Sequence, residues 1–338
     1  MTISASEPYT PGATTAVLPV YNEERFIADA LDSVLGQVDQ VVVVDNCSTD
    51  RTGEIVIEYA ARHSHLHYYR NPENVGSAIN CRIGFQKVKT EFSFFLGGHD
   101  YVSADYVPVL KKVLQDDPKA SLAYTYAHYV DDDGNVGPGS DQASIHRSAS
   151  KNNVFRRAFA IGAYHGDCNL LNGLFRSCIA VPAFGKMGQY AGCDHLILFE
   201  TALKGKLLYS REASYYRRMR STDTMSAYMT RIVGKTVTTD AVNHAELDHV
   251  ELVTEMRALL RTVECRNPIR RRFWHIMIDR VIDEGFLQAR PEKRFFLNFI
   301  KFTKTVFGTD LYRRRETREK FLRDVHRFLR YYLIGPAK

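Results

Sequence analysis

The segment TTAVLPV, Thr14 to Val20, is apolar and β-branched without alternation, and it runs directly into Tyr21-Asn22-Glu23-Glu24. An unbroken apolar run of this length reads as a strand covered on both faces, the form that a parallel sheet requires. Asn22 fits an N-cap, and Glu23 and Glu24 fit the first turn of a helix reaching Leu35, because early carboxylates complement the positive end of the helix dipole. The unit then repeats. QVVVVD (Gln40 to Asp45) is a second buried strand, with Ser48 or Thr49 able to cap a helix through Ala61. LHYY (Leu66 to Tyr69), a helix near Gly76 to Val88 and EFSFFL (Glu91 to Leu96) continue the pattern. Four alternations predict an α/β fold with a Rossmann-like, mostly parallel sheet flanked by helices.

In open sheets of this class, ligands collect at the carboxyl ends of strands, where loops and helix N-termini present free N–H groups. The first, second and fourth strands end in Tyr21-Asn22-Glu23, Asp45-Asn46 and Gly97-Gly98-His99-Asp100. Three polar clusters are therefore expected on one edge. At that edge Asp45 supplies a carboxylate, Tyr21 an aromatic face, and Pro19 and Val20 backbone groups. The alternative for Asp45 is a cap of the turn that follows it, and for Glu23 a helix-start residue.

The chain has 338 residues, 45% apolar and 25% charged, enough for a large core in one or two domains. Its six cysteines are scattered without a C-x-x-C pair, which suits a reducing cytoplasm and indicates neither a disulfide framework nor a cysteine-rich zinc centre. The net charge of +6 is unevenly distributed: from Arg266 to Lys338 there are nineteen Lys/Arg against eight Asp/Glu, a net +11, leaving −5 for residues 1–265. No run approaches the roughly 18 apolar residues of a spanning helix, so a cytoplasmic protein is expected.

After Ala120, SLAYTYAHYV (Ser121 to Val130) alternates like a strand, DDDGN reads as a hairpin turn, and Pro138 to Asn153 reads as loop. LNGLFRSCIAV (Leu171 to Val181) reads as a strand and Asp194 to Lys204 as a helix. From about Ser221 onward helices dominate: Ala245 to Val263, Arg270 to Leu287 and Leu311 to Leu333. The expected organisation is a polar, disordered tail at 1–13, an α/β domain at 14–220 and a basic helical region at 221–338.

The ordered stretches AVLPVYNEERFIADALDSVLGQ, VVVVDNCSTDRTGEI, NPENVGSAI and FFLGGHDYV resemble the motifs of family 2 glycosyltransferases, the inverting group with the GT-A fold. The resemblance extends over roughly Thr14 to Arg218. It implies a nucleotide-sugar donor, with Pro19, Val20, Tyr21, Glu23, Asp45, Asn74, Gly76, Gly98 and His99 around the nucleotide. Where the family commonly has Asp-x-Asp-Asp on a divalent metal, this chain has Gly97, Gly98, His99 and Asp100. His99 and Asp100 are then the candidate ligands for Mn²⁺ or Mg²⁺, against a metal-free site using cations or an inert turn.

GCDHLILFETALKGKLLYS resembles the family segment that supplies the base from a helix start, here Asp194, whose plain alternative is a helix cap. YYRRMRSTDTMS resembles the closing loop that faces the phosphates, making Arg217, Arg218 and Arg220 candidates to stabilise the leaving group, against a solvated basic turn. The Gln-x-x-Arg-Trp motif of processive members is absent, so single-sugar addition to a glycan or lipid-linked acceptor is expected. The basic tail interleaves cations with aromatics, as in RRRFWHIMI, and suits either an anionic inner-membrane surface or packing on the domain or a second subunit. No nucleic-acid motif accompanies its charge. The rival functions are a sugar nucleotidyltransferase and a silent GT-A scaffold or glycan binder.

Overall fold

The computed structural model describes residues 9–140, 143–162, 168–188, 192–219 and 250–264, together with 268, 271, 272, 274, 275, 278, 279 and 282. The chain divides into two compact units, Met1–Leu287 and Gln288–Lys338. The second unit, the expected helix Leu311 to Leu333 and Arg220 lie outside the described residues.

The first half follows the strand-helix alternation. Strands β1 (Thr10–Val20), β2 (Gln40–Asp45), β3 (Leu66–Arg70) and β4 (Thr90–Phe95) alternate with helices α1 (Ile27–Leu35), α2 (Thr52–Ala60) and α3 (Ser77–Phe85). β1 lies parallel between β2 and β4, and β2 pairs parallel with β3. Val17, Leu18, Val41 and Val43 are fully buried, as continuous apolar strands under helices on both faces should be. α3 approaches the sheet through Gly84, where a Cβ would stand 2.5 Å from Val17 Cγ1.

The helix start after β1 differs from expectation. α1 begins at Ile27, and Asn22 has a left-handed backbone, φ 55°, instead of capping it. Its Oδ1 accepts from Thr49 N–H at 2.8 Å, and its own N–H donates to Ser48 Oγ at 3.0 Å. A short polar side chain tolerates this conformation and here ties two loops together. Glu23 likewise stands in the loop and leaves the first turn of α1 to Asp29.

The second half corrects the mostly parallel expectation. β5 (Tyr101–Val102), β6 (Ala120–Val130), β7 (Val136–Ser140), β8 (Leu174–Arg176) and β9 (Lys206–Arg218) extend the sheet in the order β3-β2-β1-β4-β8-β6-β9-β5, with β7 on β6. β8 pairs antiparallel with both β4 and β6, β5 antiparallel with β9, and β6 parallel with β9. The sheet is therefore mixed. The hairpin turn at DDDGN is present, with Gly134 at φ +88° between β6 and β7.

Leu171 to Val181 is not one strand. It divides into a 3-10 helix (Asn169–Asn172), β8 and helix α7 (Ser177–Phe184). Its apolar run packs on both a sheet and a helix, so periodicity alone does not distinguish the two. The polar stretch expected as loop holds β7 and α5 (Ala143–Ala149), followed by α6 (Val154–Gly162). α4 (Tyr106–Asp116) lies beneath the second half of the sheet, and α8 (Cys193–Lys204) starts one residue before the expected Asp194.

The described part of the tail packs on this body. Helix Val250–Arg261 buries Leu252, Val253, Met256 and Leu260, an apolar stripe at helical spacing, in contact with α8. Trp274 stacks parallel on Phe155 of α6, with centroids 5.9 Å apart. No helix among the described residues is long and apolar enough to cross a membrane.

Candidate active site

The loops after the first three strands are knitted at their carboxyl ends. Asn46, buried at the end of β2, donates from Nδ2 to Asn74 Oδ1 at 2.7 Å, and its Oδ1 accepts from Asn71 Nδ2 and Val75 N–H. Asn74 Oδ1 also accepts from Gly76 N–H. Gly76, at φ 83°, opens α3 in a conformation that only glycine adopts without strain. Asn22 closes the same edge from the β1 side. Tyr21 is 37% exposed on this rim, and the carbonyl of Val20, next to Pro19, accepts from Asn46 N–H.

Asp45 is fully buried and anchors this edge. Its Oδ1 accepts from Ser48 N–H at 2.8 Å, and its Oδ2 accepts from Tyr68 O–H at 2.7 Å and Arg70 Nη1 at 2.6 Å. A carboxylate has about four acceptor sites, so roughly one is unused, but the side chain is wholly shielded from solvent in this conformation. Tyr68 and Arg70 escaped the sequence reading. The available signal was register: Asp45 ends β2 directly beside Arg70, which ends β3.

The expected metal position is built differently. Asp100, 5% exposed, accepts from Tyr215 O–H on Oδ2 at 2.7 Å and from the Arg218 backbone N–H on Oδ1 at 2.8 Å. His99 bridges two carboxylates through opposite ring nitrogens, Nδ1 3.0 Å from Glu23 Oε1 and Nε2 3.7 Å from Asp100 Oδ1. Each ring nitrogen of His99 already faces a carboxylate, so a Mg²⁺ or Mn²⁺ ion here would rest on the Glu23 and Asp100 oxygens, with water and donor phosphates completing the shell, the usual arrangement for Mg²⁺. The glycines serve packing: a Cβ at Gly97 would stand 2.7 Å from Asp100 Oδ2, and one at Gly98 would stand 2.8 Å from Val20 Cγ1 and 3.0 Å from Glu23 Cγ.

β9 separates the arginines, since neighbouring residues of a strand point to opposite faces. Arg218 is buried as a clasp: Nε donates to His99 O, Nη1 to Asp131 O and Nη2 to Asp29 Oδ2, with the guanidinium 4.2 Å above the Phe26 ring. A cleft of about 590 Å³ runs past it, lined by Arg25, Phe26, Asp29, Asp32, Tyr101, Asp132, Asp133 and Gly134. Of the residues singled out from sequence, this cleft takes in Arg218 alone. Arg217 is half-buried and donates to Asn169 Oδ1 at 2.9 Å.

Asn169 follows Cys168, and Cys168 leads to the expected base. Its Sγ lies 3.3 Å from the His195 ring nitrogens, and His195 Nδ1 lies 3.2 Å from Asp194 Oδ1. Asp194 is 23% exposed in the first turn of α8, and its Oδ1 accepts from His195 N–H at 2.9 Å. Burial works to raise its pKa, but hydrogen bonds from His195 and Cys168 and the His195 charge outweigh burial and hold it below the usual carboxylate value. The start of α8 is thus a half-buried carboxylate kept ionised. Successive contacts through Asp100, β9, Arg217, Asn169 and Cys168 connect it to the strand-end loops.

The family model described as glycosyl transferase family 2 matches residues 15–173. The chain carries a family 2 glycosyltransferase domain. Curated relatives agree in kind: Glycosyltransferase GlyA of Streptococcus pneumoniae is 32% identical over 105 residues, covering 30% of this chain and 15% of that protein. The putative teichuronic acid biosynthesis glycosyltransferase TuaG of Bacillus subtilis is 28% identical over 118 residues, covering 34% of this chain and 46% of that one. The glycosyltransferase domain thus aligns with less than half the length of these relatives. The crystal structure of S. aureus TarS residues 1–349 in complex with UDP-GlcNAc superposes with a TM-score of 0.57 at 17% identity, over 81% of this chain and 71% of that one. That likeness is one of fold.

Proposed function

We propose that this chain is an inverting glycosyltransferase moving a single sugar from a nucleotide-sugar donor, UDP-linked, to a hydroxyl of a glycan or lipid-linked acceptor, as in cell-surface polysaccharide biosynthesis. The observation that carries this reading is Asp194: a carboxylate held ionised and partly exposed at the start of α8, where the family resemblance puts the base. Asp194 takes the acceptor hydroxyl proton as the oxygen attacks the anomeric carbon. The bond from that carbon to the diphosphate breaks on the opposite face, which inverts the configuration. One positioned base contributes about 10²–10⁴ in rate.

The donor base rests against Tyr21, with Pro19, Val20, Asn74 and Gly76 shaping the rim, and meets Asp45 once Arg70 or Tyr68 turns aside from that carboxylate. Glu23, Gly98, His99 and Asp100 form the floor behind the diphosphate, and Arg217 is the cation on the Asn169 side that offsets the leaving charge. Arg218 acts at one remove, by holding the His99 carbonyl. A uridine donor is supported by the UDP-GlcNAc complex of the TarS fragment, and a polysaccharide role by the similarity to TuaG, a putative teichuronic acid biosynthesis glycosyltransferase. A cytoplasmic enzyme, associated with the inner membrane face or a second copy through its basic tail, completes the proposal.

Asp194→Asn should reduce transfer by at least about 10² while UDP affinity, measured by calorimetry, stays within about twofold. Undiminished turnover would remove Asp194 from the mechanism. A second reading draws on one observation, that Asp100 is turned inward onto Tyr215 and Arg218: a silent nucleotide or glycan binder. Binding of UDP without transfer or donor hydrolysis across a panel of nucleotide sugars would favour it.

A further inference from the structure

The residues least explained by sugar transfer are Cys168 and His195, which crowd the side chain of Asp194. One ligand atom from each of Cys168, Asp194 and His195 lies within 4.8 Å of the others. Cys168 Sγ lies 3.3 Å from both His195 Nδ1 and Nε2, and His195 Nδ1 lies 3.2 Å from Asp194 Oδ1. A tetrahedral zinc with bonds of about 2.3 Å to sulfur and about 2.0–2.1 Å to nitrogen or oxygen sets its ligand atoms roughly 3.3–3.6 Å apart. The two spacings at Nδ1 are already close to that range, and a turn of the His195 ring would aim its lone pair between the other two ligands.

The backbone is specialised on both sides of the cluster. Cys168 is buried with a left-handed conformation, φ 52°, uncommon for a residue with a side chain. Gly192, at φ 80°, delivers Asp194 and His195 at the start of α8. A thiolate, an imidazole and a carboxylate together select borderline or soft ions of the zinc class and disfavour Mg²⁺. The set is also separate from the Glu23, His99 and Asp100 group.

We propose that Cys168, Asp194 and His195 form a site for a zinc-class divalent ion, three protein ligands with water at the fourth position. On binding, the Cys168 S–H gives its proton to solvent, the proton that His195 Nδ1 holds toward Asp194 moves to Nε2 by way of solvent, and sulfur, Nδ1 and Oδ1 each donate a lone pair to the ion. If Asp194 is the base of the proposed transfer, the bound ion occupies its proton-accepting oxygen, so the same site makes transfer zinc-sensitive. That last consequence rests on the proposed function; metal binding itself does not.

The test uses the full chain, freed of metal with a chelator and titrated calorimetrically with Zn²⁺ and separately with Mg²⁺. One equivalent of Zn²⁺ should bind with release of a proton, read from the buffer dependence of the heat, and Mg²⁺ should give no saturable heat. Co²⁺ in place of Zn²⁺ should produce a sulfur-to-metal charge-transfer band in the near ultraviolet. Cys168→Ser should abolish that band, and His195→Gln should weaken Zn²⁺ by at least about tenfold. A wild-type chain that binds no Zn²⁺, or gives no thiolate band with Co²⁺, overturns the proposal whether or not the variants fold. So does Zn²⁺ affinity unchanged in both variants. An enzyme inactive with every sugar donor but binding Zn²⁺ through Cys168 would refute the proposed function and leave this site standing.

Discussion

The backbone N–H of Arg218 donates to Asp100 Oδ1 at 2.8 Å across 118 positions of sequence, while the Arg218 guanidinium reaches back to the His99 carbonyl. The loop after β4 and the end of β9 are thereby fastened together. Asp100 accepts one further bond there, from the fully buried Tyr215 hydroxyl. Asp100→Ala leaves both donors buried without an acceptor, at about 1–3 kcal/mol each. The expected loss is roughly 2–6 kcal/mol, read as a lower urea midpoint, with Asp100→Asn losing less because its amide oxygen replaces one acceptor.

Gly98 supplies a test of the neighbouring pair. A Cβ there would press on Val20 Cγ1, at the end of β1, and on Glu23 Cγ in the loop that follows. Overpacking of this kind costs about 1–3 kcal/mol. Gly98→Ala should lower thermal stability and, by moving Glu23 off His99, weaken UDP binding; an alanine variant with unchanged UDP affinity would show that this pair does not shape the donor floor.

The pH dependence follows from the direction of the Asp194 shift. Its folded-state pKa lies below the ordinary carboxylate value of about 3.9. Its ionised form therefore contributes stability that is present above that ordinary value and is lost only as pH falls through the folded pKa. For the same reason, kcat/KM for transfer should show no acid limb belonging to Asp194 between about pH 5 and 7. A limb near pH 6.5 that persists in the His99→Gln variant would transfer proton acceptance to another imidazole.

Arg157 tests how α8 is held from its far end. It is buried, and its guanidinium donates to the carbonyls of Ala202 and Leu203 in the last turn of α8 and to those of Lys151 and Asn152 before α6. Burial lowers its pKa to about 10, still far above neutrality, so it stays charged. Arg157→Met keeps bulk and removes these bonds. The expected cost is about 2–4 kcal/mol, seen in thermal unfolding; a change under about 0.5 kcal/mol would mean that the carbonyls find solvent instead.

The sequence alone determined the first half of this protein. Unbroken apolar runs at Thr14 to Val20 and Gln40 to Asp45 are readable because a strand buried on both faces admits little else, and the motifs spaced between them marked the family. It also brought Tyr21, Asp45 and Asp100 to one edge, since the ends of adjacent parallel strands lie together, while Asn74 and Gly76 were implied by the family motifs. Tertiary structure decided the rest. Whether Leu171 to Val181 forms a strand or a helix depends on what packs against it, and the mixed second half of the sheet depends on pairings between segments far apart in sequence. The directions of Arg217 and Arg218 depend on the register of β9. Cys168 meets Asp194 and His195 only because the turn before β8 folds back onto the start of α8, a long-range contact that local composition does not encode.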